Sequence, residues 1–350
     1  MTHALKIAQV APFEESVPPP KYGGTELVIS NVTEELVRRG YQVTLLAAGD
    51  SKTSATLVPI FKRAVRRETF SQDLPKRDAV KFIGAGRVVE YLRKNTFDII
   101  HNHLGWRLLP FSQLLPAPVV TTLHGPLDAE YQQFVYGQYA RSAYVSISNN
   151  QRRPMPRLNF VGTVYNGIEV AAFDFSVRPG TYLAFLGRMS PEKGAVEAIL
   201  AAKKARLPLI MAAKVDAVDQ QYFSQRVKPL IDGRQIRYIG EVDHPGKVKL
   251  LKNALALLAL IQWEEPFGLF LVEALACGTP VIASNRGSVP EIIQTGKTGF
   301  IVENYLQAAR AVKKVGDLDR RACRAAVEKR FTIERMVDGY EKVYRRVLKR

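Results

Sequence analysis

Short aliphatic and β-branched runs alternate along the chain with longer stretches whose apolar positions recur every three to four residues. The first pattern predicts strands and the second amphipathic helices. Their alternation predicts an α/β protein built on mostly parallel sheets. In the first half the strand-like runs are 5–10, 42–48, 97–101, 118–123 and 143–147. A helix is expected to open at Gly24–Thr25 and run to Arg39, where Gly40 suits a left-handed helix terminus. The alternation then begins again, with strand-like runs at 182–186, 209–213, 236–239, 256–261, 280–283 and 300–302. Between them, over 170–180, the pattern lapses and Pro179–Gly180 breaks the chain. Two doubly wound domains are predicted, 1–172 and 173–330. The last segment, 331–350, places Met336, Tyr340, Val343 and Tyr344 at helical spacing. It is expected to pack on the body as an amphipathic helix, with the N-terminal domain as one candidate surface.

Composition changes this picture little. Over 350 residues, 47% apolar and 24% charged positions are enough to bury a substantial core and exclude a disordered or fibrous chain. The longest apolar run, 254–261, falls well short of the roughly 18–20 residues that span a bilayer. Met1 to Val10 lacks a basic segment followed by an apolar stretch and cleavage site, so no export signal is expected. Two cysteines, Cys277 and Cys323, fit a reducing compartment, and the cytoplasm is the expected location.

Charge changes it more. Fifty Lys and Arg against 33 Asp and Glu give +17, a balance that favours an anionic partner: nucleic acid, acidic lipid or a phosphorylated substrate. Lys62, Arg63, Arg66 and Arg67 form one basic cluster, and Arg152, Arg153 and Arg157 another.

Four stretches hold candidate chemistry. In Glu264-Glu265-Pro266-Phe267-Gly268-Leu269-Phe270-Leu271-Val272-Glu273 a buried strand is followed by a turn and then a helix. Ligands of open parallel sheets bind at such strand-to-helix turns. The first-turn N–H groups of Gly268, Leu269 and Phe270 would suit an anion or sugar hydroxyls. Glu265 would then face the cleft. Glu273, on a mostly apolar helix, needs a hydrogen-bonding partner. The residues alone also admit Glu265 as a helix-dipole complement and Glu273 as a solvated carboxylate. In Gly187-Arg188-Met189-Ser190-Pro191-Glu192-Lys193-Gly194, two cations follow a strand and could neutralise a diphosphate without a metal, or form an ordinary basic loop. In Pro19-Pro20-Lys21-Tyr22-Gly23-Gly24-Thr25-Glu26, Gly23 and Gly24 let backbone approach a ligand closely or simply make a turn. The dinucleotide G-x-G-x-x-G fingerprint is absent. His124 ends the fourth predicted strand. His101 and His103 flank Asn102, with no carboxylate or cysteine cluster to make a metal site, and read as structural or acceptor-side.

Together these clusters resemble family 4 of the retaining glycosyltransferases, across nearly the whole chain. The resemblance runs from Tyr22-Gly23-Gly24-Thr25-Glu26 through His124 and Arg188…Glu192-Lys193-Gly194 to Glu265…Glu273. It continues in Gly278-Thr279-Pro280-Val281-Ile282-Ala283, Pro290-Glu291-Ile292-Ile293 and Gly296-Lys297-Thr298-Gly299-Phe300. Ile261-Gln262 stands where the family often has Pro-Ser, and Arg286-Gly287-Ser288 is a common loop variant. The resemblance implies the GT-B fold, two Rossmann-like doubly wound domains facing a central cleft, with acceptor and donor domains in that order. It implies a metal-independent, cofactor-free hexosyl transfer that retains the anomeric configuration. The donor would be a UDP- or GDP-sugar and the acceptor a hydroxyl of a glycan, glycolipid, phosphorylated or small molecule. Glu273 would bind the ribose and Glu265 the donor sugar. Arg188 and Lys193 would hold the diphosphate, Gly24 would let the first helix approach it, and His124 would lie near the reaction centre. The basic surface would then serve an anionic acceptor or the inner face of a membrane, and no nucleic acid is expected as partner. Two other readings remain: a phosphorylase on the same fold, although no lysine environment signals pyridoxal phosphate, and a non-catalytic nucleotide-sugar binder.

Overall fold

The computed structural model describes residues 4–20, 23–70 and 73–349. Lys21 and Tyr22, part of the first candidate loop, lie outside the described residues. The chain divides into two compact units, Met1–Gly167 with Ile333–Arg350, and Ile168–Thr332. The expected boundary at 172–173 falls inside the second unit, at the single turn Val170–Ala172. Among the described residues no helix is long and apolar enough to cross a membrane.

The first unit contains β1 (Lys6–Val10), α1 (Gly24–Arg38), β2 (Gln42–Ala48), β3 (Thr56–Phe61), α2 (Leu74–Lys94), β4 (Ile99–Asn102), β5 (Val119–Leu123), α3 (Glu130–Gln138), β6 (Ala143–Ser146) and β7 (Phe160–Thr163). All strand pairs are parallel and the order is β3-β2-β1-β4-β5-β6-β7. The chain builds outward from β1 to β3 and then crosses back to β4, so the sheet reverses direction between β1 and β4. α1 ends as its sequence predicts: Arg39 caps it, and Gly40 follows at φ +85°. Asp73 opens α2 by accepting a bond from the Lys76 N–H at 3.1 Å.

The second unit contains β8 (Leu183–Arg188), α4 (Ala195–Ala205), β9 (Leu209–Lys214), α5 (Gln220–Tyr222), β10 (Ile236–Tyr238), α6 (His244–Lys252), β11 (Ala256–Ala259), α7 (Leu269–Ala276), β12 (Val281–Ser284), α8 (Val289–Ile292), β13 (Gly299–Val302), α9 (Tyr305–Val315) and α10 (Arg320–Arg330). Its order, β10-β9-β8-β11-β12-β13, reverses between β8 and β11. Strands β11 and β12 are buried throughout, which is why they read as unbroken apolar runs.

The last helix, α11 (Ile333–Leu348), belongs to the first unit and buries Met336, Val337, Tyr340, Val343 and Tyr344. Arg39, the residue capping α1, ties it down. Its guanidinium bonds Glu35 at 2.8 Å, Asp338 at 2.9 Å, Glu341 at 3.0 Å and the Glu334 carbonyl at 3.0 Å.

Candidate functional site

In an open parallel sheet the loops that leave the carboxyl ends of the strands diverge at the reversal point and open a crevice there. In the second unit these are the loops after β8 and β11. They carry the two cationic and carboxylate clusters expected from sequence.

Arg188 is the last residue of β8, and its side chain is held between two acids. It pairs with Glu192 four residues on and with Asp219 at 3.2 Å. Burial pushes the Glu192 carboxyl up, but hydrogen bonds from Ser190 and Arg188 outweigh it and hold the group below its ordinary value. Gly194 follows at φ +70° and starts α4; a Cβ there would lie 1.8 Å from the Leu260 carbonyl oxygen. Only glycine lets the first loop close onto β11 in this way. That closure brings Lys193 Nζ to 2.5 Å from Glu265 Oε2, although 72 residues separate them. Both side chains are about 90% buried. The ammonium also sits 4.9 Å from the Trp263 ring centroid and 5.5 Å from that of Phe270, and Trp263 Nε1 donates to Glu265 Oε2 at 3.2 Å.

The backbone of Glu265 is clamped as well. Its carbonyl accepts from the Ser288 N–H at 2.9 Å, and a Cβ at Gly287 would lie 2.3 Å from the Glu265 nitrogen. Gly268 caps α7 at φ +77° with no side-chain bond to the first turn. The N–H groups of Gly268, Leu269 and Phe270 therefore stay available beside Glu265, as a helix N-terminus leaves them. Glu273 lies one turn inside α7, buried, and its required partner is Lys247 of α6, with Nζ 2.5 Å from Oε1. Lys247 was not legible as a site residue, because nothing in a lysine-rich amphipathic helix marks one lysine for a distant acid.

In the first unit, Gly23 precedes α1 and Gly24 opens it. Glu26, in the same first turn, is buried, and that burial raises its carboxyl above the ordinary value. His124 follows β5 and lines a cavity of about 250 Å³ with Pro12, Phe13, His103, Trp106 and Gln132. This cavity lies at the carboxyl ends of β1, β4 and β5. Behind it runs a continuous polar chain. His124 Nε2 lies 2.8 Å from His103 Nδ1, and His103 Nε2 lies 2.8 Å from Gln9 Oε1. Gln9 Nε2 donates to Tyr344 Oη at 3.4 Å. Tyr344 Oη is 2.7 Å from His101 Nδ1, and His101 Nε2 is 2.8 Å from Thr122 Oγ1. Thr122 donates onward to Tyr340 Oη at 3.3 Å. Burial among uncharged neighbours lowers His101 to about 3 and His124 to about 4, and pushes His103 well below its ordinary value, so all three rings are neutral. Gln9, Tyr340 and Tyr344 were not anticipated here. The signal was present as period two: Gln9 pairs with His101 across β1 and β4, so their side chains share a face with His103.

Two doubly wound parallel domains, with a cationic loop and an uncapped helix N-terminus at the reversal point of the second, make up the GT-B fold. Residues 22–171 match the family model "Glycosyltransferase Family 4", and 176–326 match "Glycosyl transferases group 1". The chain belongs to family 4 of the glycosyltransferases. It is 26% identical over 326 residues to a phosphatidyl-myo-inositol mannosyltransferase of Mycobacterium tuberculosis, covering 85% of this chain and 82% of that protein. A glycogen synthase of the same species is 27% identical over 231 residues, 58% of this chain, and the match spans just over half, 55%, of that relative. Among solved structures, Anabaena HepE in complex with UDP and glucose superposes with a TM-score of 0.75 at 17% identity, covering 96% of this chain and 98% of that one.

Proposed function

We propose that the protein transfers a hexose from a nucleotide-diphosphate sugar, UDP- or GDP-linked, to an acceptor hydroxyl with retention of anomeric configuration and without a metal. The observation that carries this reading is the Lys193–Glu265 contact beside the uncapped N-terminus of α7. It puts a cation, a carboxylate and free backbone donors within one loop cluster, which is what a sugar diphosphate presents partners for. The donor sugar hydroxyls bond to Glu265, the ribose hydroxyls to Glu273, and the diphosphate to Arg188, Lys193 and the first-turn N–H groups of α7. Glu192 and Asp219 hold Arg188 in place before the donor arrives, and Glu265 does the same for Lys193. A charge arrangement fixed in advance stabilises the departing diphosphate without reorganisation. The departing phosphate oxygen takes the acceptor proton, and His124 meets a substrate hydroxyl.

The HepE complex supports a nucleotide-sugar donor, and the relative named for phosphatidyl-myo-inositol supports a lipid-linked acceptor. The decisive experiment measures nucleotide-diphosphate release from a panel of UDP- and GDP-hexoses with EDTA present, followed by NMR of the product anomer. Release that survives EDTA and gives a retained anomer is expected. Strict dependence on a divalent ion or an inverted product would overturn the mechanism. Sugar-phosphate formation with inorganic phosphate would favour a phosphorylase, and donor binding without turnover a binding protein.

A further inference from the structure

The polar chain behind His124 has a direction. Gln9 supplies it, because a carboxamide has one accepting end and one donating end. Its oxygen faces His103 Nε2, so that nitrogen carries the proton. A neutral imidazole has only one N–H, which makes His103 Nδ1 an acceptor, and the bond at 2.8 Å must come from His124 Nε2–H. On the other side, the Gln9 amide donates to Tyr344 Oη. Tyr344 then donates to His101 Nδ1, His101 Nε2–H to Thr122, and Thr122 to Tyr340. From His103 to Thr122 each group accepts once and donates once, in the same sense from cavity to helix α11. The one ring nitrogen left over is His124 Nδ1, which has no bond to any described residue and belongs to a ring lining the 250 Å³ cavity.

We propose that His103 and Gln9 are positioning residues that hold His124 as the Nε2–H tautomer, so that its bare Nδ1 accepts a hydrogen bond from a substrate hydroxyl. The inference rests on the glycosyl-transfer reading for the identity of that hydroxyl, but the tautomer itself does not depend on it. Under this arrangement His124 faces the cavity as an acceptor only. It neither protonates a leaving group from Nδ1 nor hydrogen-bonds a phosphate oxygen there, since both partners would be acceptors. The site thereby favours a hydroxyl over an anionic oxygen at this one position, through a chain that ends on the buried tyrosines of α11.

The test is nitrogen-15 NMR of the full-length protein with labelled histidine, the His124 signals being assigned by their loss in His124→Asn. The expected pattern at neutral pH is a protonated Nε2 and a bare Nδ1. His103→Leu should turn this into a mixture of tautomers and lower kcat/KM about tenfold, the size of one lost hydrogen bond. His103→Gln should preserve both the tautomer and activity to within about twofold, because its amide can accept from His124 and donate to Gln9. Saturation with whichever of UDP-glucose or GDP-mannose binds should shift the bare Nδ1 resonance, as accepting a bond requires. A protonated Nδ1 in the wild type, a cationic ring, or an unchanged tautomer in His103→Leu would overturn the proposal. So would an Nδ1 signal that ignores the bound donor. The expected tautomer pattern in a protein that releases no nucleotide diphosphate from any donor would instead count against the glycosyl-transfer reading alone.

Discussion

At the scale of single residues, the Lys193–Glu265 and Lys247–Glu273 pairs differ in what their loss should do. Glu265 and Lys193 neutralise one another, so removing the lysine leaves a buried carboxylate and, on the proposed reading, an unassisted diphosphate. Lys193→Ala is expected to cut turnover about 100- to 1000-fold, as loss of one preorganised charge donor does, read from initial rates of diphosphate release. Glu273, on the proposed reading, acts on binding. Glu273→Gln removes charge-assisted bonds worth about 1.5–3 kcal/mol each, so donor affinity by calorimetry should fall at least tenfold while kcat changes less. The change also strands Lys247. The double variant with Lys247→Met should recover stability and not affinity. Recovery of both would make Glu273 a structural residue only.

At the scale of elements, the question is what holds α11 to a unit that ended some 165 residues earlier in the chain. Apolar burial does most of it, and Arg39 adds a charged clamp reaching Glu35, Asp338 and Glu341. The carboxylates around it raise its guanidinium pKa further still, against the opposing effect of burial, and Glu35 is held below its ordinary value, first by Arg38 and then by Arg39. Arg39→Ala should lower unfolding stability by about 2–3 kcal/mol in urea titrations, because it strands several partly buried acids. Arg38→Ala, at an exposed side chain, should lower the midpoint much less, because Arg39 still pairs with Glu35. Elements also differ in how visible they are from sequence. The two strands not anticipated, β3 and β7, are the two edges of the seven-stranded sheet. Both are only partly buried, and one contains Pro59 and the other Gly162. An edge strand with one solvated side needs neither a full apolar run nor every N–H, so its pattern is diluted.

At the scale of the whole molecule, three neutral histidines, His101 and His103 buried and His124 half-buried, make folding sensitive to acid. The unfolded chain binds protons near the ordinary value of 6.5, whereas His101 and His124 in the folded state bind only near 3 and 4. Between these values the unfolded state holds more protons, so stability is lost as pH falls below about 6.5. Each such group costs up to about 1.4 kcal/mol per pH unit. Denaturation midpoints from pH 7 to pH 5 should therefore drop steeply, and His101→Asn should flatten the slope. An unchanged slope would mean that the ring is protonated in the fold. The +17 charge is less bare than its sequence implies. Arg63, Arg66 and Arg67 pair with Glu68, Glu15 and Asp50. A membrane surface would instead meet Phe82 and Ile83, exposed on α2. Co-sedimentation should require anionic vesicles, weaken with salt and fall in Phe82→Asp. Equal binding to neutral vesicles, or none, would leave a soluble acceptor.

The chain by itself determined what depends on local order. Period-two and helical patterning specify the α/β alternation and the amphipathic last helix. Gly40 marks a helix end where backbone enters left-handed space. Arg188, Lys193, Glu265 and Glu273 stand out because charged residues beside buried strands demand partners. Only the tertiary structure decided who those partners are. Lys193 meets Glu265 across 72 residues, Glu273 meets Lys247, and the His124 chain reaches Tyr344 on a helix more than 200 residues away. Spacing cannot encode such pairings, because they follow from strand order: parallel crossovers bring the carboxyl ends of β8 and β11, and of β1, β4 and β5, side by side whatever the length of chain between them.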